Sequence, residues 1–369
     1  MIPVLICAAI IILSTAFFLN YYPPFGQKES AEKRNSYRHL PNYGRKKFVN
    51  QIPTSMSMRM ADLLSILRDY VKGNPNRKPI TPLPVKRVDP ASIQQENLTR
   101  VTWFGHSALM LELEGKTLLF DPMLGTSPTP IPIFGNKRFS KDVPIDLDKL
   151  PVIDAVIFSH DHYDHLDYSS IQKLKGRVKH FYVPLGLGSH LMRWGIGQSS
   201  ITEHNWWDTS TLDGIQLICT PARHFSGRSL FDRDSTLWSS WVIISNRSRV
   251  YFSGDSGFGP HFQEIGEKYG PFDLTLMECG QYDKRWSNIH MMPEETVQAH
   301  LDVKGKLLLP IHWAGFTLAL HDWNEPIERV TKAAREAQVN IVTPSIGETL
   351  RIPSFESLVY ENVTWWKKK

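Results

Sequence analysis

The sequence predicts a mixed, layered α/β fold. Apolar runs of strand length come first in succession, from Val101 to Phe120, and later alternate with helical stretches. Tight-turn signals separate the early runs, as at Glu114-Gly115-Lys116. The chain has 369 residues, 41% hydrophobic and 21% charged, enough for a large core in one or two domains.

Taken in order, the chain opens on an uncharged run, Ile2 to Leu19. As a helix it would measure roughly 27 Å, near the lower limit for crossing a bilayer. Asn20-Tyr21-Tyr22-Pro23-Pro24 ends it, with tyrosines where an interfacial belt would sit. No Lys or Arg precedes the run, so an uncleaved anchor over residues 1–22 is favoured over a cleaved signal peptide. Lys28, Lys33, Arg34, Arg38, Arg45, Lys46 and Lys47 follow it and outnumber Glu29 and Glu32, which places the main domain in the cytoplasm, associated with the membrane.

Residues 23–97 read as a basic, proline-rich linker carrying one amphipathic helix. That helix runs from Thr54 to Asn74, with Met56, Met60, Leu63, Leu64, Leu67 and Val71 on one stripe and Gly73 at its end. Such a stripe ordinarily faces a core; a membrane surface is the alternative.

Residues 98–355 form the predicted catalytic domain. Its strands are expected at Val101–Gly105, Ala108–Leu113, Thr117–Phe120, Ile153–Phe158, Phe181–Val183, Ile215–Thr220, Trp238–Ile244, Val250–Ser253, Leu274–Met277 and Leu307–Ile311. Helices are expected at Ser169–Lys175, Pro260–Tyr269, Pro293–Asp302 and Pro326–Ala337; proline opens three of the four, as suits a first helical position. Residues 356–369 read as a solvated tail ending Trp365-Trp366-Lys367-Lys368-Lys369.

Composition narrows the chemistry. Three cysteines, Cys7, Cys219 and Cys279, with no Cys-x-x-Cys pair, exclude a disulfide framework and a thiolate zinc site. A net charge of +5 mildly favours an anionic partner.

The densest signal is Ser159-His160-Asp161-His162-Tyr163-Asp164-His165, directly after the strand Ile153–Phe158. In an extended run, residues two apart share a side, so His160 and His162 can face one ion. Asp164 and His165 can face a second as the chain turns. Imidazole and carboxylate suit zinc, and packing gains nothing from five such groups in six positions. Downstream, His224, Asp255 and His312 each follow a predicted strand, and glycines around Asp255 permit close backbone approach.

His-x-His-x-Asp-His, a lone His, a Gly-Asp and a late His together resemble the metallo-β-lactamase superfamily over Val101 to about Arg329. The resemblance implies an αββα sandwich with metals at one edge, here preceded by an N-terminal hydrophobic helix. It implies one zinc on His160, His162 and His224, a second on Asp164, His165 and His312, and Asp255 bridging both together with a hydroxide. Asp121, in Phe-Asp-Pro, matches an aspartate that supports the ligand loops.

Arg138-Phe139, His160 to Tyr168, Trp206-Trp207, Gly254 to Gly257, Gly270 to Leu274 and Ile311-His312-Trp313 narrow the likeness further. They resemble the branch that contains N-acylphosphatidylethanolamine-hydrolysing phospholipase D. That branch implies a phospholipid substrate, cleaved at its phosphodiester to phosphatidic acid and N-acylethanolamine, and a histidine beside the phosphate, matched by His290. His290, Asp164 and Asp255 are then the catalytic candidates. Ligand type alone leaves iron or manganese open in place of two zinc ions, and a homodimer is compatible with the sequence.

Rival functions are a lactonase or β-lactamase-like acyl hydrolase on the same scaffold, a nuclease, and a membrane-anchored scaffold without activity. No separate basic nucleic-acid module is visible, so nucleic acid is not an expected partner. His106, His204 and His321 are weaker candidates, with a structural hydrogen bond at least as good a reading for His106.

Overall fold

A computed structural model describes the chain except residues 1–5, 8, 9, 11–13, 16, 19, 56–58, 94–97, 230, 353–363, 368 and 369. A short hairpin, β1 (Tyr43–Gly44) and β2 (Lys47–Phe48), precedes two large sheets. One sheet uses β3 (Arg100–Trp103), β4 (Leu109–Leu113), β5 (Lys116–Phe120), β6 (Ile153–Ile157), β7 (Val178–Pro184), β8 (Ile201–His204) and β15 (Thr349–Arg351). Its order is β15-β3-β4-β5-β6-β7-β8. The other uses β9 (Thr209–Leu212), β10 (Ile215–Thr220), β11 (Ser240–Ile244), β12 (Arg249–Phe252), β13 (Leu274–Glu278) and β14 (Leu308–Ile311). Its order is β14-β13-β12-β11-β10-β9.

Both sheets are mixed. β5, β6, β7 and β8 run parallel, as do β12, β13 and β14, while β10 and β12 are each antiparallel to β11. The C-terminal ends of β10, β12, β13 and β14 therefore share one edge of their sheet, and those of β5 and β6 one edge of theirs.

Alternation along the strands separates two apolar layers. In β4 and β5, Leu109, Leu111, Leu113, Leu118 and Phe120 join the core that also holds Leu217, Val242, Phe252 and Leu276 of the other sheet. Met110, Leu119, Val156 and Phe158 point the opposite way. There they meet Ile171 and Leu174 of the helix Tyr168–Leu174, and Leu191 of the helix Gly188–Arg193. Helices His261–Tyr269, Pro293–Asp302 and Glu325–Glu336 bury Phe262, Ile265, Val297, Ile327 and Val330 in the larger cluster with the second sheet. The layering is thus helix, sheet, sheet, helix, as expected.

Several expectations need correction. Among the described residues no helix is long and apolar enough to cross a membrane, so the single N-terminal anchor and transmembrane helix are not supported; most of Ile2–Leu19 lies outside the described residues. The amphipathic helix is shorter, Met60–Lys72, and none of its residues is buried. Its stripe does not face a core: Leu67 is 58% and Val71 77% exposed. Met56 lies outside the described residues. The stretch expected as linker is not wholly free of the body, because Tyr37, Tyr43, Phe48 and Leu83 are buried in the main core.

The C-terminal tryptophans are not a solvated end either. Trp365 stacks on Trp313 at 5.3 Å, and Trp366 Nε1 donates to Glu328 Oε1 at 2.6 Å.

Candidate metal centre

The strand ends deliver their side chains to one place. Beyond β6, the loop carries His160, His162, Asp164 and His165. His224 follows β10 by four residues, Asp255 follows β12 by three, and His312 directly follows β14. The backbone has to turn sharply to do this. Gly254 takes φ +56°, and a Cβ there would lie 2.7 Å from Ser159 Cβ and from the Ser239 carbonyl oxygen. Asp121, His106 and His312 adopt φ of 39°, 54° and 67° without being glycine, a strained placement costing about 1–3 kcal/mol each. The backbone of His106 and the strand-end pair His312–Trp313 hold one another: His106 N donates to Trp313 O, and His312 N to His106 O, both at 2.9 Å.

Two ligand groups result. In the first, His162 Nδ1 is 2.9 Å from His160 Nε2 and 3.2 Å from His224 Nε2. Burial, reinforced by neighbouring imidazoles, holds His160 and His224 well below the ordinary histidine range. Burial also lowers His162, to about 4. Neutral rings that turn nitrogens on one another are poorly placed as mutual hydrogen-bond partners and well placed around a cation. The second group gathers Asp164, His165 and His312, joined by His106, whose ligand atoms lie within 4.8 Å of one another.

Asp255 sits between the groups. Its Oδ2 is 3.0 Å from His165 Nε2 and 3.8 Å from both His160 Nε2 and His224 Nε2. Its Oδ1 is 3.1 Å from His312 Nδ1 yet is buried without a hydrogen-bond partner. Burial pushes its carboxyl up to about 6. His165 shows the converse. Burial would lower it, but Asp255, Asp164 and Asp121 outweigh that and raise it well above its usual value. A proton on this ring partly offsets acidic charge that a metal cation would neutralise more fully.

Supporting residues complete the picture. Asp121 accepts from Ser159 N at 2.8 Å and from Ser159 Oγ at 2.5 Å, and its Oδ2 is 2.7 Å from His165 Nδ1. Asp121 thus joins the start of the loop at Ser159 to the ring of His165. His106, for which a structural hydrogen bond was an equal reading, holds Asp164 Oδ2 at 2.9 Å from a fully buried position. His290 reaches the site, its ring stacked on His312 at 5.1 Å and edge-on to His224 at 5.0 Å. Its Nδ1 is 2.8 Å from Glu278 Oε2.

Glu278 was not among the sequence candidates. It lies at the end of β13, and its other oxygen accepts from Met291 N at 2.9 Å and Ser256 N at 3.1 Å. Burial pushes it well above the ordinary carboxylate range despite those donors. The signal available was its place at a strand end, like the ligands; nothing local marks it. His204 and His321 stand apart from the ligand groups. His204 is held by Ser210 Oγ at 2.7 Å, and His321 accepts from Gln281 N at 2.9 Å. A cavity of about 230 Å³ opens above the groups, lined by His162, Asp164, Asp255, Trp286, His290 and Leu318 among others.

The chain resembles known proteins in this same region. Residues 116–313 match the Beta-lactamase superfamily domain. An uncharacterized protein of Mycobacterium bovis is 40% identical, covering 87% of each chain. The N-acyl-phosphatidylethanolamine-hydrolyzing phospholipase D 1 of Caenorhabditis elegans is 34% identical, over 72% of this chain and 79% of its own. Among solved structures, Igni18, a metallo hydrolase from Ignicoccus hospitalis, superposes with a TM-score of 0.52 at 23% identity, over 69% of this chain and 98% of its own, a likeness of fold. With the family match spanning more than half of its length and a converging set of histidines and aspartates at the sheet edges, the chain belongs to the beta-lactamase superfamily of metal-dependent hydrolases.

Proposed function

We propose that the chain cleaves the phosphodiester of N-acylphosphatidylethanolamine-like phospholipids, releasing phosphatidic acid and an N-acylethanolamine, with two zinc ions as cofactor. One ion is assigned to His160, His162 and His224, and the other to Asp164, His165 and His312. The observation that carries the reading is Asp255, buried between the two groups: Oδ2 lies 3.0 Å from His165 and 3.8 Å from both His160 and His224, while Oδ1 lies 3.1 Å from His312 and accepts no hydrogen bond. A carboxylate so placed fits a bridge. The likeness to the worm phospholipase supports the substrate class.

When bound, paired divalent cations supply hydroxide at neutral pH and neutralise charge growing on phosphoryl oxygens. The chain's own groups do the remainder. Asp255 fixes the separation of the two ligand groups. Asp121 and His106 hold His165 and Asp164 in register. His290, held through Nδ1 by Glu278 and lining the cavity, would give a proton to the departing alkoxide, which leaves poorly without one. The lipid-borne substrate makes a membrane surface the expected partner.

Purified protein loaded with zinc and given N-acylphosphatidylethanolamine vesicles should release N-acylethanolamine, read by mass spectrometry beside metal content. Absence of release with two metals bound would remove the substrate reading and leave the metal centre standing. Brisk hydrolysis of a lactone in the same screen would move the chemistry from phosphorus to carbonyl carbon. Asp255→Ala should abolish turnover.

A further inference from the structure

The helix Met60–Lys72 is built inside out. Its less exposed positions are Asp62, Ser65, Ile66 and Asp69, spaced on one face and mostly polar. Arg285 reaches this face, donating to Ser65 Oγ and Asp69 Oδ2, both at 2.8 Å. The opposite face carries Met60, Leu63, Leu64, Leu67, Tyr70 and Val71, each at least 47% exposed. Burial of apolar surface is the main force that seats a helix, so a helix anchored by its polar face is seated for something else.

From this we infer that the outer face of Met60–Lys72 docks on a phospholipid bilayer beside the metal centre. The inference rests on the phospholipid reading for its purpose, and on geometry for its place. Trp286 and Leu318 line the opening above the metal groups together with His290. Trp286 follows Arg285, the residue that clamps the helix. On the other flank, Tyr70 lies under the Arg77 guanidinium at 5.6 Å, and Arg77 Nε donates to Ala319 O. Asn136 Nδ2 donates to Thr317 O and so ties in the loop that exposes Ile133 and Phe134. Apolar side chains thus flank the mouth of the site on two sides.

The opening holds about 230 Å³, whereas sites that enclose even drug-sized ligands begin near about 300 Å³. The neighbouring cavity of about 730 Å³, beside the helix, mixes charged side chains such as Asp69, Lys72 and Arg285 with Tyr282, Met292 and Leu320. On this inference the headgroup enters the opening from the membrane surface. Arg59, Arg68, Lys72 and Lys284 are exposed around the apolar face, the two arginines paired with Asp62 at 2.9 Å and Asp69 at 3.4 Å, and such a basic rim suits lipid phosphates. A second copy related by a twofold axis would set this basic rim against itself, which favours lipid over self-association.

The test uses the full chain with Cys7→Ser, because Cys7 is the exposed cysteine while Cys219 and Cys279 are buried. An environment-sensitive fluorophore is attached through Leu67→Cys. Vesicles of phosphatidylcholine with phosphatidylglycerol should blue-shift its emission, and nitroxides on the acyl chains should quench it. An unchanged spectrum overturns the inference. So does a probe shielded without vesicles, whether concentration-dependent (a second copy) or not (the chain's own N-terminal run).

A second variant, Leu64→Glu with Leu67→Glu, should lower hydrolysis of vesicle-borne N-acylphosphatidylethanolamine by roughly tenfold or more while leaving bis(p-nitrophenyl) phosphate hydrolysis intact. Equal loss on both substrates would overturn it. If the unmodified protein cleaves no phospholipid, the probe still reports docking, so failure of the substrate reading and failure of this inference are separable.

Discussion

Asp121 binds nothing itself in the proposed scheme, yet three hydrogen-bond contacts meet on it, from the backbone and hydroxyl of Ser159 and the ring of His165. Carboxylates that orient a metal-binding imidazole typically carry 10–100-fold in affinity, so Asp121→Asn should weaken uptake at the His165 group by about that factor. Isothermal titration with zinc, resolving one strong and one weakened site, checks it. His290 makes a different demand. If it acts on the leaving group, His290→Ala should lower kcat by about 10²–10⁴ with both metals retained; loss of metal alongside activity would instead make it a ligand. The six-residue cluster from His160 to His165 was legible because its ligands are adjacent in the chain. Glu278 is not, because it gains its role only from His290, and His106, a weaker candidate in the sequence, finds its partner in Asp164, 58 residues away.

The same contrast governs whole elements. β10, IQLICT, reads as a strand on its own terms and keeps its expected limits, Ile215–Thr220. β8 and β9, sequences ITEH and TSTL, are short and largely polar and were missed, because edge strands take their structure from a partner. The C-terminal pair was misjudged for a related reason. A lysine-flanked Trp365-Trp366 resembles a loose end until Trp313 is brought beneath it. Trp365 is 6% and Trp366 4% exposed, and both join the main core. Emptying the place of a buried tryptophan costs about 3–5 kcal/mol. Trp365→Ala should lower the unfolding free energy by that order in a urea titration. Because Trp313 directly follows His312, metal affinity should fall with it. A change within 0.5 kcal/mol, the usual range for surface positions, would return the pair to the status of a tail.

Across the whole molecule, the proposed metal centre is built from buried histidines whose protonation would oppose cation binding, which would link stability, metal and pH. Burial lowers His160, His162, His224 and His312 below their unfolded values, His162 to about 4. For such groups the unfolded chain binds more protons between the two values. Stability of the metal-free protein therefore falls as pH drops below the free-histidine range near 6.5. His165 works against this. Its raised value adds stability that is complete below the unfolded value and is lost as pH rises through the folded one. Among these five histidines, four are lowered and one raised, which favours loss of stability on acidification; Asp255 and Glu278, raised by burial, oppose it. Zinc bound as proposed would require the deprotonated rings and displace the proton of His165, so its affinity should climb with pH. A ligand at 100 times its Kd adds about 2.7 kcal/mol. The melting temperature of the zinc-loaded protein should accordingly exceed that of the chelator-stripped protein by a margin that widens from pH 6 to pH 8, measured by scanning calorimetry at fixed free zinc. A margin that stayed constant, or narrowed, would mean that these imidazoles do not exchange protons for metal.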